Sequence, residues 1–112
     1  MKVIDLINSL GLEVYTSGRI PEKEITGGYV SDLLSDVMGN AGENQAWITL
    51  QTHVNIVAVA SLKDIAAIIL VKGLKPDQET LLTAEREEVL ILGTRSGTYE
   101  MAGQLYILLK RE

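Results

Sequence analysis

Ala46-Trp47-Ile48-Thr49-Leu50 and Ala66-Ala67-Ile68-Ile69-Leu70-Val71 are two apolar runs, and the reading of residues 51–65 between them decides the fold. The first run reads as a strand. The second is apolar and β-branched, the kind of strand that is buried on both faces. Between them, Asn55 to Lys63 fits a short helix with Ile56, Val59 and Ala60 inward, although its Val and Ala also fit a strand. The segment is just long enough for a crossover helix between parallel strands, which favours the helix.

Working outward, Pro76 opens the next helix at its first position, with Asp77 and Glu79 in the positive first turn. Val89-Leu90-Ile91-Leu92 is another buried strand. A last helix from Thr98 to Lys110 buries Met101, Ala102, Leu105, Leu108 and Leu109 and ends in Lys110-Arg111, as the helix dipole prefers. Upstream, Val3, Ile4, Ile7 and Leu10 have helical spacing, with Gly11 where a C-terminal glycine belongs. Leu12 to Thr16 alternates like a half-buried strand, Ser17 to Pro21 is a turn, and a second short strand lies near Glu24 to Thr26. Val30, Leu33, Leu34, Val37 and Met38 form a one-faced helix capped by Ser31 or Gly28, and Gly39 to Gly42 ends it. The pattern predicts an α/β fold: a single three-layer domain over 1–112, with a mainly parallel sheet flanked by helices, an extra N-terminal helix and short strands.

A chain of 112 residues can bury roughly 65% of its unfolded surface without a metal or disulfide. Zero cysteines exclude thiolate metal sites and a Cys nucleophile, and one histidine excludes any site needing two. The net charge of −5 argues against nucleic acid and anionic lipid as partners. It is mildly uneven, −4 over residues 1–56 and −1 over 57–112, which reads as a solvated surface. No apolar run approaches a membrane span, and Met-Lys-Val-Ile-Asp-Leu is not a signal peptide. The expectation is a cytoplasmic protein.

Ligands of open parallel sheets collect beyond the carboxyl ends of the strands, near helix N-termini. Three segments land there: Gln51-Thr52-His53-Val54-Asn55, Lys72-Gly73-Leu74-Lys75 and Gly93-Thr94-Arg95-Ser96-Gly97-Thr98. Gln51, Thr52, His53 and Asn55 crowd donors and acceptors between two hydrophobic runs; the structural alternative is that Thr52 caps the helix and the others serve the loop. Thr94, Arg95 and Ser96 resemble a phosphate cradle, with Ser96 or Thr98 as a plain helix cap in the alternative reading. No GxxxxGK[ST] or GxGxxG motif occurs. Gly27, Gly28, Tyr29 and Trp47 are candidates for a subunit interface. The alternatives are a tight turn at the glycines and a core position for Trp47. Asp32 and Asp36, four apart, are read as solvated acids rather than a metal site, and the predicted set includes no metal and no cofactor.

Thr26-Gly27-Gly28-Tyr29-Val30-Ser31-Asp32-Leu33-Leu34-Ser35-Asp36-Val37-Met38, followed by Trp47-Ile48-Thr49-Leu50-Gln51-Thr52-His53, resembles the DRTGG-domain family. The likeness is closer to its short stand-alone members, similar to the N-terminal domain of HPr kinase/phosphorylase. It covers nearly the whole chain. It implies a small regulatory or sensory α/β module without catalytic residues, one that tends to dimerise. In relatives the module accompanies CBS domains in regulated pyrophosphatases, or sits beside phosphotransacetylase and kinase domains. The chain departs from the pattern where Thr52-His53 stands for the name-giving Asp-Arg, and where Val71-Lys72-Gly73 stands for Thr-Gly-Gly. The kinase half with its P-loop is absent, so HPr phosphorylation is not expected.

The leading expectation is therefore a non-enzymatic regulatory module, a homodimer. It would bind a small anionic ligand, a nucleotide among the candidates, through Gln51, Thr52, His53, Asn55, Thr94, Arg95 and Ser96. A second reading is an interaction or assembly subunit of a partner enzyme, with no small ligand. A third uses His53 as a general acid or base, but no cysteine, second histidine or triad supports it.

Overall fold

The computed structural model describes residues 1–111; Glu112, the last residue of the expected domain, lies outside the described residues. The elements run α1 (Val3–Leu10), β1 (Glu13–Val14), β2 (Gly27–Val30), α2 (Leu34–Asn40) and β3 (Gln45–Thr49). They continue with α3 (Asn55–Leu62), β4 (Ala67–Leu70), α4 (Gln78–Arg86), β5 (Ile91–Gly93) and α5 (Thr98–Lys110). The strands form one sheet in the order β1-β5-β4-β3-β2, in which β2 to β5 are parallel and β1 pairs antiparallel with β5. This is the α/β, mainly parallel, helix-flanked fold the sequence predicts, with residues 55–62 helical.

The two-residue period of a strand divides the core into two layers. Trp47, Ile68 and Ile91 pair across neighbouring strands and face α2, α3 and α4, where Val37, Ile56, Val57, Ala60 and Ala84 meet them. Ile48, Ile69 and Leu92 form the next row and face α1 and α5, against Leu6, Met101 and Leu105. Both faces of β4 are covered, so its four residues are all buried and apolar.

Several details differ from the sequence reading. In α1 the buried residues are Val3, Leu6 and Ile7, whereas Ile4 points outward, because the helix lies on the sheet through a face rotated from the predicted one. The strand expected near Glu24 to Thr26 is instead Gly27–Val30; the Glu24 backbone forms an isolated β-bridge with Lys2 and no strand. Two adjacent glycines have poor strand propensity. Here tertiary packing overrides it, since a Cβ at Gly28 would sit 2.7 Å from Leu105 Cδ2 on α5. The following helix starts at Leu34 rather than near Val30, because the Ser31 hydroxyl accepts a bond from the Leu33 amide (3.2 Å) and Asp32 is drawn toward β3. Asp32 therefore lies outside the helix that was to pair it with Asp36. Pro76 precedes α4 rather than opening it; Asp77 is the N-cap.

Trp47 requires a correction as an interface residue. Its side chain is fully buried between the sheet and α2–α3, and its indole Nε1–H donates to the Ser31 carbonyl at 2.9 Å. A large ring with a single donor is well placed there, since the donor is satisfied and the rest is apolar.

Candidate functional site

Connections leave β2, β3 and β4 toward one face of the sheet, while α5, after β5, packs on the other. The exits of β4 and β5 thus diverge, the arrangement that opens a crevice in a parallel sheet. Here the two loops close on each other. The Lys72 amide donates to the Ser96 carbonyl (2.9 Å) and the Gly73 amide to the Thr94 carbonyl (2.9 Å).

The other exits are tied in the same way. One Asp32 carboxylate oxygen accepts from Thr49 Oγ1 (2.8 Å) and from the Leu50 amide (2.7 Å), and Gln51 Nε2 donates to the Asp32 carbonyl (2.9 Å). The Thr52 carbonyl accepts from the Asp77 amide (3.1 Å) and from the buried Thr80 hydroxyl (2.8 Å). Tyr15, arriving from β1, donates its hydroxyl to the Leu74 carbonyl (3.3 Å) and lies over Gly93, where any Cβ would collide with its ring. Burial, then the nearby Glu13 charge, raises the Tyr15 pKa, with Arg95 acting in the opposite direction.

The predicted site residues fall into two groups on this edge. Gln51, Thr52 and His53 lie between β3 and α3, and Asn55 begins α3. Thr94, Arg95 and Ser96 lie between β5 and α5. The two groups belong to strands separated by β4, about 10 Å apart at the usual strand spacing. A cleft of about 290 Å³ is lined by Gly11, Glu13, Gly93, Thr94, Arg95 and Ser96, and by none of the first group. Gln51 holds its neighbouring loop, and Thr52 is engaged through its carbonyl. His53 and Asn55 are exposed and make no side-chain hydrogen bond among the described residues.

None of the three helices opening on this edge has a side-chain cap: Val54 precedes α3, Asp77 precedes α4 and Gly97 precedes α5, without such a bond. Thr52, Ser96 and Thr98 are thus not the caps that the structural alternative needed. Three exposed cations, Lys72 and Lys75 ahead of α4 and Arg95 ahead of α5, form no ion pair among the described residues. Lys72 has a left-handed backbone (φ 59°), followed by Gly73 (φ 70°). A non-glycine residue in that region carries strain.

No family model and no curated protein matches the chain. A solved structure does. The crystal structure of the CBS and DRTGG domains of the regulatory region of Clostridium perfringens pyrophosphatase, complexed with the activator diadenosine tetraphosphate, superposes with a TM-score of 0.67. The match is 16% identical and covers 93% of this chain and 45% of that one, so this chain spans under half of that structure. The shared property is the fold.

Thr52-His53 follows β3 and Val71-Lys72-Gly73 follows β4. Asn44, Asp64 and Glu88 share the left-handed backbone of Lys72. Sequence reading missed two residues of this edge, Asp32 as its clamp and Tyr15 as its wall; it placed the Lys72 segment there without naming Lys72 as a site residue.

The interface candidates have a different setting. Gly27, Gly28 and Tyr29 form the outer edge strand β2. The close approach that Gly28 allows is to Leu105 of the same chain. The Tyr29 hydroxyl donates to Asp36 (2.9 Å to either oxygen), which raises the Tyr29 pKa; the Ser31 and Tyr29 hydroxyls hold Asp36 below the usual carboxylate range. Among the described residues no helix is long and apolar enough to cross a membrane.

Proposed function

We propose that residues 1–112, as one domain, are a regulatory module without catalysis of its own, working as a homodimer and binding a small anionic ligand at the carboxyl edge. The observation that carries this reading is the exposed set of Lys72, Lys75 and Arg95 in the loops that lead into α4 and α5, two helices without side-chain caps. Exposed cations beside helix N-termini suit phosphate oxygens. A glycine at position 72 would relieve the left-handed backbone but would remove one of the three cations. Arg95, Thr94 and Ser96 would bind the anion, and His53, Asn55, Gln51 and Thr52 would border it across β4. The neighbour's complex with diadenosine tetraphosphate supports a nucleotide as the ligand class. Kinship with the DRTGG family is part of this proposal. The narrower likeness to the N-terminal domain of HPr kinase/phosphorylase rests on the sequence resemblance alone.

Titration calorimetry with adenosine mono-, di- and triphosphate and diadenosine tetraphosphate tests the site. Arg95→Ala is expected to weaken binding about 10- to 100-fold, the worth of one charge-assisted hydrogen bond. His53→Ala is expected to weaken it less. Equal affinity in both variants and wild type would remove the site from consideration.

The second reading, an assembly subunit for a partner enzyme, is favoured by an apolar groove of about 510 Å³ between β2 and α5. It predicts stable association indifferent to Arg95.

A further inference from the structure

Helix α5 carries apolar side chains on two faces. Met101 and Leu105 are buried, and Ala102, Leu108 and Leu109 pack against the same core. On the opposite face Tyr99, Tyr106 and Ile107 are 87%, 63% and 53% exposed. Tyr99, Gly103, Tyr106 and Lys110 recur at helical spacing as one straight stripe. The stripe continues into the groove toward β2, with Tyr106 and Lys110 lining both, and the outer edge of β2 has no strand neighbour. Gly103 lies in mid-helix, where glycine is disfavoured relative to alanine, yet a Cβ there would meet nothing within 4 Å. Nothing among the described residues accounts for the notch.

The order of residues along the stripe is self-complementary when reversed. In an antiparallel pair centred midway between positions 103 and 106, Gly103 faces Tyr106 of a second copy, and Tyr99 faces its Lys110. The charges follow the same rule. Glu100 is in the first turn of α5, and Lys110 and Arg111 are at its end. An antiparallel pair brings opposite charges together, whereas a parallel pair sets like against like. Lys110 already lies 5.4 Å from the Tyr106 ring centroid, a cation–aromatic contact that the second Tyr99 would extend.

We propose that the Tyr99–Gly103–Tyr106–Lys110 face of α5 is the contact surface for a second copy of this chain, with the two helices antiparallel about a two-fold axis. Each Tyr106 ring fills the notch over the other copy's Gly103, and each Glu100 meets Lys110 or Arg111. This inference rests on the homodimeric part of the function proposed above, and is independent of the ligand.

Sedimentation velocity of the full chain over a wide concentration range tests it. The wild type is expected to dimerise, and Gly103→Arg to weaken the dimer about a hundredfold by filling the notch. Glu100→Lys and Lys110→Glu are each expected to weaken it up to about fivefold, and the double reversal to restore it. The reversals sit on exposed positions and keep the test decisive should Gly103→Arg fail to fold. A wild type that stays monomeric throughout overturns both this surface and the homodimer. A dimer undisturbed by Gly103→Arg overturns the surface alone. A double reversal that adds the two losses overturns the antiparallel pairing.

Discussion

The carboxyl edge of the sheet and the flank formed by β2 and α5 are both accessible, but they are built in opposite ways. Along the edge each strand exit is hydrogen-bonded to its neighbour, from the Asp32 clamp through Thr52 and Asp77 to Lys72 and Ser96. Backbone is thus fixed and charge is left outward, which suits a small ligand that gains most from groups already in position. Along the flank the backbone is an ordinary helix and an edge strand, and what faces outward is aromatic and aliphatic. Contiguous apolar surface of that kind marks contact with protein rather than with a small anion.

Trp47 and Tyr106 give the sharpest contrast between interior and flank. Trp47→Ala is expected to cost about 3–5 kcal/mol, the usual range for a large buried aromatic. Tyr106→Ala, measured in urea at concentrations that keep the chain monomeric, should stay within about 0.5 kcal/mol of wild type. Similar losses in the two would mean that Tyr106 is part of the core.

Asp32→Ala probes the edge. It leaves the Thr49 hydroxyl and the Leu50 amide without their acceptor and is expected to cost about 2 kcal/mol in a denaturant melt. It should also weaken any ligand, because the exits of β2 and β3 lose their tie. Full stability in this variant would show that the edge does not depend on its clamp.

The smallest effect should have the opposite sign. Lys72→Gly relieves a left-handed backbone and is expected to raise stability by about 0.5–1 kcal/mol while ligand affinity falls. A gain in both would detach the strain at Lys72 from binding.

Much of this was legible in the residues. The β-branched run Ile68-Ile69-Leu70 and the helical spacing of Met101, Leu105 and Leu109 report local periods, and periods survive in any single chain. The carboxyl-edge segments were legible for the same reason, because alternation of strands and helices puts β-to-α loops on one side. Gly27-Gly28 as a strand was not, since its reason lies in Leu105, far along the chain. Nor was Tyr15 as a wall of the edge, since β1 reaches β5 through antiparallel pairing of Glu13 with Gly93 and of Val14 with Leu92, far apart in the chain. Asp32 misled because its spacing from Asp36 fits a helix that begins two residues later.

By itself the sequence determined the α/β alternation, the absence of thiol chemistry and the side of the sheet on which polar loops gather. These depend on composition and on short-range periodicity, which need no knowledge of distant contacts. Only the tertiary structure decided that Trp47 is core, that Lys72 is strained, that the two predicted halves of the site are held apart by β4, and that α5 keeps a second apolar face outward. Each of those follows from which distant segments pair and pack, and a one-dimensional pattern does not encode that.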